Sequence, residues 1–127
     1  MNTNELRISN TINHKEKGLI TIKGITEHCG DCKIDTDLGW VYLKNCEPVP
    51  LTEEWLIKFG FKYNGWNYDF KNYVFHAQGK NEKGEFFNTE FGIKNNGITF
   101  NISYNLEFVH QLQNLYFALT GEELTIK

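Results

Sequence analysis

N-L-E-F-V-H-Q-L-Q-N-L-Y-F-A-L-T-G-E-E-L, from Asn105 to Leu124, carries the clearest periodicity in the chain. Phe108, Val109, Leu112, Leu115, Tyr116 and Leu119 recur at the 3.6-residue spacing of one helical stripe. Asn105 is the predicted N-cap, Glu107 then lies in the first turn, and Gly121 supplies the left-handed residue that ends the helix. A helix this short is marginal alone in water, so the stripe demands a sheet to cover it. Upstream, Asn96-Gly97 between Ile93 and Ile98 is the strongest hairpin signal, because a type I′ turn needs positive φ at both central residues. Alternation then puts Phe87, Phe91 and Ile93, with Ile98, Phe100, Ile102 and Tyr104, on the face where the final helix is expected to sit.

Working further outward, Pro48 and Pro50 bracket Val49 and impose an extended crossing. Thr52 is placed to cap a short helix with Glu53 and Glu54 in its first turn and Trp55, Leu56 and Phe59 on its apolar side. Gly60 stops it, with Phe61 set for the apolar contact of a Schellman ending. Trp66–Tyr68, Tyr73–Ala77, Phe86–Ile93 and Ile98–Tyr104 read as strands. Towards the N-terminus, Leu6–Ile12 and the run from Gly18 to Ile25 alternate as an antiparallel pair joined by His14–Gly18. His28–Cys32 reads as a turn, and Trp40–Leu43 as a third short strand. The predicted class is α+β: an antiparallel sheet, made of a meander plus N-terminal curled strands, with one short central helix and a C-terminal helix packed on one face. Length predicts a single domain over 1–127, divided into an N-terminal β part (1–47), the short helix (51–60), the meander (61–104) and the terminal helix (105–121).

Composition narrows the function classes. A net charge of −3 gives no general attraction to DNA or anionic lipid, and no apolar run approaches the length of a membrane span. A soluble cytoplasmic protein is expected. Cys29-x-x-Cys32, with Cys46 and either His28 or His14, offers the ligand types of a tetrahedral zinc site, but a second paired motif is missing, and the preferred reading is reduced thiols in a turn. Asp31 and Asp35 oppose the thiolate that a redox role needs. No metal or cofactor is therefore expected. His76 and His110 fall in regular elements and are open to facing a common cleft, yet no Ser-His-Asp spacing accompanies them. Glu82, Glu85 and Glu90 read as solvated loop charge rather than a catalytic carboxylate pair.

The run Trp66, Tyr68, Phe70, Tyr73 and Phe75, interrupted by Lys62 and Lys71, is the candidate partner-binding surface. Its alternate members point to opposite faces of a strand, and aromatics of this kind anchor protein interfaces or stack on unpaired bases. Core packing is the competing reading. The strip His110, Gln111, Gln113 and Asn114 is taken as the outer side of the terminal helix, and Phe86–Glu90 as an edge strand able to support a homodimer.

E-L-R-I-S-N at the start, P-V-P-L-T-E-E-W-L-I-K-F-G-F in the middle and F-V-H-Q-L-Q-N-L-Y-F-A-L-T-G-E-E-L at the end resemble a family of small uncharacterised proteins encoded in phages and prophages. The resemblance carries no catalytic residue. It implies a non-enzymatic inhibitor of a host defence system in the bacterial cytoplasm, of the anti-CRISPR type, whose partner is a host protein such as an RNA-guided nuclease complex. The alternative is a small nucleic-acid- or nucleotide-binding module that uses the N-terminal curled sheet and the same aromatics.

Overall fold

The computed structural model describes residues 3–28 and 31–127. The chain is α+β, with two antiparallel sheets and, among the described residues, a short and a C-terminal α-helix. Its contacts group into two compact units, one made of Met1–Val49 with Phe108–Glu123 and the other of Pro50–Glu107 with Leu124–Lys127.

In the first unit, strands β1 (Thr11–His14), β2 (Gly18–His28), β3 (Asp31–Thr36), β4 (Gly39–Tyr42) and β5 (Cys46–Glu47) form a sheet in the order β4-β3-β2-β1-β5. β2 is long enough to serve two neighbours. Its first residues pair with β1 and the rest with β3, and a register shift between Ile22 and Gly24 bends it, as a bulge does, so the sheet curls. Ile12, Ile20, Ile22, Ile34, Val41 and Cys46 fill the concave side, with Leu6 at its margin.

Three expectations change here. Leu6–Asn10 is a turn, not strand: Asn10 turns its side-chain oxygen back to accept from the Arg7 N–H at 2.7 Å, and Ser9 sits at φ +79°. β3 carries little signal in the sequence, because its inward alternation is made of Cys32, Ile34 and Thr36, of which only Ile34 is strongly apolar. Cys32 is thus on a strand rather than in the turn. It packs against the same apolar cluster as Cys46, and burial raises the Cys46 thiol above its ordinary pKa. Cys29 and the side chain of His28 lie outside the described residues, and among those described no three His, Cys, Asp or Glu side chains form a ligand set.

The terminal helix α2 (Val109–Thr120) belongs to this unit and lies along β1. It starts four residues after Asn105. Phe108 is the N-cap, and its N–H donates to the Gln111 side chain at 3.0 Å; Gly121, at φ +72°, closes the helix with an N–H bond to the Phe117 carbonyl. Asn105 has φ +61° and gives its N–H to the Thr89 carbonyl, so it ends a strand and Glu107 precedes the first turn. The buried face is also rotated. Val109, Leu112 and Tyr116 are buried as expected, whereas Leu119 is 37% exposed. The polar strip faces inward instead: Gln113 accepts from the Thr11 N–H at 2.9 Å, and Asn114 accepts from the Asn10 side chain at 2.8 Å and donates to the Glu5 carbonyl. Arg7 makes a two-point ion pair with Glu123 and lies 4.1 Å from the Phe117 ring centre, tying the N-terminal segment to the far end of α2.

His110 is 1% exposed, stacks on Phe108 and has neither ring nitrogen hydrogen-bonded among the described residues; Glu5 Oε2 stands 3.9 Å from Nε2. Burial lowers its pKa, and the Glu5 charge opposes this only in part. The unfolded chain therefore takes up the proton near the ordinary histidine value, while the folded chain resists it. Stability is complete above about pH 6.5 and falls as pH drops through the folded value, with a slope of at most about 1.4 kcal/mol per pH unit. His110→Phe is expected to remove that component. Urea midpoints of both proteins between about pH 7.5 and 5 check it, and equal pH slopes would refute it.

In the second unit, α1 (Glu53–Lys58) precedes a meander of β6 (Lys62–Tyr63), β7 (Tyr68–Phe70), β8 (Tyr73–Lys80), β9 (Phe86–Asn95) and β10 (Ile98–Tyr104), in the order β10-β9-β8-β7-β6. Thr52 holds the N-cap position without a side-chain bond; it forms an extended bridge to Glu85 instead. The Schellman ending is present: Phe61 N–H bonds to the Leu56 carbonyl and Gly60 N–H to that of Ile57, with Gly60 at φ +99°. Asn96 and Gly97 both have positive φ, as the hairpin reading requires. Trp55, Leu56, Phe59, Phe61, Phe75 and Phe91 are buried.

Candidate functional site

The meander's register decides which aromatics share a face. Tyr68 pairs with Phe75, Phe75 with Phe91 and Phe91 with Ser103, and the next row runs Phe70, Tyr73, Ile93, Phe100. In the first row Tyr68, Phe75 and Phe91 are core residues, at most 5% exposed. In the second, Phe70, Tyr73 and Ile93 are half-buried, while Phe100 is 59% exposed. The apolar face thus continues past the point where the core ends. Phe70 packs on Phe61, with ring centres 5.1 Å apart, and the ammonium groups of Lys71 and Lys127 each lie 5.4 Å from its ring centre.

β10 is an edge strand, and among the described residues nothing pairs with its outer side. Ile98, Phe100, Ile102 and Tyr104 are 59, 59, 42 and 59% exposed. The residues between them are Thr99, Asn101 and Ser103, so the strand carries no charge from end to end. Proteins usually blunt such an edge with Lys, Pro or a short length. Here only a register shift between Asn101 and Ser103 interrupts it. The final helix, expected over this face, instead packs along β1. Phe86–Glu90, expected as an edge, lies in β9 between β8 and β10.

The aromatic run Trp66–Phe75 is divided by the fold. Tyr68 and Phe75 are in the core; Phe70 and Tyr73 join the row that leads to Phe100; Lys62 and Lys71 are exposed. Trp66, 75% exposed, stacks on His76, which pairs across the sheet with Glu90, itself opposite Tyr104. His76 and His110 belong to different units, and His110 is buried.

A cleft of about 290 Å³ is lined by Glu53, Tyr63, Trp66, Tyr68, Lys80 and Phe86. The Tyr68 hydroxyl donates a short hydrogen bond to Glu53, and Lys80 Nζ donates to the same carboxylate oxygen at 3.0 Å. Those two bonds, Tyr68's first, hold the Glu53 carboxyl below its ordinary range, while burial and Glu53 push the Tyr68 phenol far up. A carboxylate stabilised in its charged form is a poor proton acceptor near neutrality, and the phenol stays protonated. Of the three glutamates of the sequence reading, Glu85 accepts from the Asn81 side chain, Glu90 accepts from that of Asn101, and Glu82 is exposed.

No family model, curated protein or solved structure matches this chain. Among the described residues, no helix is long and apolar enough to cross a membrane. Sequence reasoning does not single out β10 as a candidate surface, because alternating Ile, Phe, Ile and Tyr is also the pattern of a core strand. The available signal was the absence of any charge across Ile98–Tyr104.

Proposed function

We propose that this protein is non-enzymatic and acts by binding another protein through β10 and the apolar row beside it. The observation that carries this is the uncharged edge strand with Ile98, Phe100, Ile102 and Tyr104 exposed. A partner's extended segment would complete the sheet through main-chain hydrogen bonds, while Phe100 and Ile98 would give the contact its side-chain selectivity. The phage-type resemblance of the terminal and central motifs supports, as the target, a host defence protein such as an RNA-guided nuclease complex, bound in the bacterial cytoplasm and inhibited by occupation of its surface.

The test is capture from a bacterial lysate by tagged protein, with and without nuclease treatment, followed by a cleavage assay on the captured complex. A stoichiometric host protein that survives nuclease treatment and loses activity in proportion to added protein is the expected result. Failure to alter any co-resident defence nuclease would remove the inhibitor reading.

A further inference from the structure

The exposed face of the curled sheet has a different chemistry from β10. On β4, Val41 is buried while Trp40 and Tyr42 point outward at 57 and 39% exposure. Lys33 on β3, paired directly with Tyr42, has Nζ 5.6 Å from the Tyr42 ring centre, and Lys44 Nζ lies 5.3 Å from it. Beside them a cleft of about 290 Å³ opens between the β1–β2 loop and β4, lined by His14, Lys15, Glu16, Lys17, Trp40 and Tyr42. Among the described residues Lys15, Lys33 and Lys44 make no salt bridge.

The loop wall is preformed. His14 Nδ1 accepts from the N–H groups of Glu16 and Lys17, both at 3.1 Å. Lys15 N–H bonds to the Asn45 carbonyl at 3.0 Å, and Lys17 Nζ donates to the Leu38 carbonyl. Side chains that bind here therefore stand on a fixed backbone, which lowers the ordering cost of association.

We propose that Trp40 and Tyr42, with Lys15, Lys33 and Lys44, form a binding site for single-stranded nucleic acid. Exposed aromatic faces with neighbouring ammonium groups match the two parts of an unpaired nucleotide, its base and its phosphate. The acidic neighbours fix the direction. Asp35 pairs across the sheet with Trp40, and Glu16 is on the cleft wall, so phosphate is repelled from the Trp40 end and a base is stacked there. The phosphate lies at the Tyr42 end, between Lys33 and Lys44. A duplex cannot offer Trp40 a base face, and this selects for unpaired strands.

The experiment is a fluorescence-anisotropy titration of the full chain against a labelled oligo-dT of about 12 nucleotides and a matched duplex, across salt. With about three phosphates neutralised, the log–log salt slope is expected near −2. Trp40→Ala is expected to weaken binding about 10- to 100-fold and Trp40→Phe only slightly, with Lys33→Glu plus Lys44→Glu abolishing it. Trp40 and both lysines lie on the outward face, and circular dichroism confirms that the variants fold. No binding at low salt, equal affinity for the duplex, or indifference to Trp40→Ala would each overturn the proposal. Binding of an acidic peptide in place of the oligonucleotide would overturn it too. Trp40→Ala should leave capture through β10 intact, so the two readings fail separately.

Discussion

Phe100→Asp is expected to weaken partner capture at least about 30-fold while changing the urea midpoint very little. An apolar anchor near the middle of an interface typically contributes about 2 kcal/mol or more on truncation, and a carboxylate there adds the cost of desolvating a charge. In the free protein the same substitution is nearly silent, because Phe100 is 59% exposed and surface changes away from special features usually stay within about 0.5 kcal/mol. A charge on an edge strand is also the device by which proteins prevent edge pairing, so solubility should rise. Thr99→Asp separates two modes of contact. Thr99 points to the opposite side of the sheet from Phe100, so a partner that adds a strand along the backbone should weaken for both variants, and one seated on the apolar row only for Phe100→Asp. Titration calorimetry with the captured protein reads the difference, and sedimentation velocity asks whether a second copy occupies the edge in its absence. Undiminished binding by Phe100→Asp would remove β10 as the docking surface.

The elements with local, self-contained signals were legible in the sequence. Asn96-Gly97 specifies its hairpin through backbone φ alone, and Leu56-Ile57-Lys58-Phe59-Gly60-Phe61 writes its Schellman ending in full. What failed required knowing a partner. The stripe on α2 identified a helix but not its start, because Asn105 satisfies its N–H at Thr89, a strand contact that no local rule anticipates. The polar strip Gln113 and Asn114 looked solvent-facing because helical periodicity counts only apolar groups. A buried amide that meets Thr11 and Asn10 is equally well satisfied. The candidate site was half legible for the same reason. The aromatic run drew attention to Phe70 and Tyr73, yet their continuation into Phe100 follows from a register over three strands.

Gly92→Ala is expected to displace β10 and destabilise the second unit by about 1–3 kcal/mol, the usual range for forcing a methyl into closed packing. Gly92 pairs with Val74 on one side and Asn101 on the other. A Cβ built there would stand 2.7 Å from the Phe100 carbonyl oxygen, 3.0 Å from Thr99 Cγ2 and 3.1 Å from Asn101 Oδ1. A main-chain oxygen cannot swing aside as a side-chain tip can, so relief requires movement of β10 itself. Gly79→Ala is the control. The atoms nearest its added methyl all belong to the Phe87 ring, the first at 2.7 Å, and that ring is 45% exposed and has solvent to turn into. The glycine variants should therefore differ in two readouts. Gly92→Ala lowers the urea midpoint and partner capture together, through a change at β10 visible in amide exchange of Ile98–Tyr104, whereas Gly79→Ala retains capture. If the two variants were equally stable and bound alike, the close approach of Phe100 to Gly92 would not be what positions the edge strand.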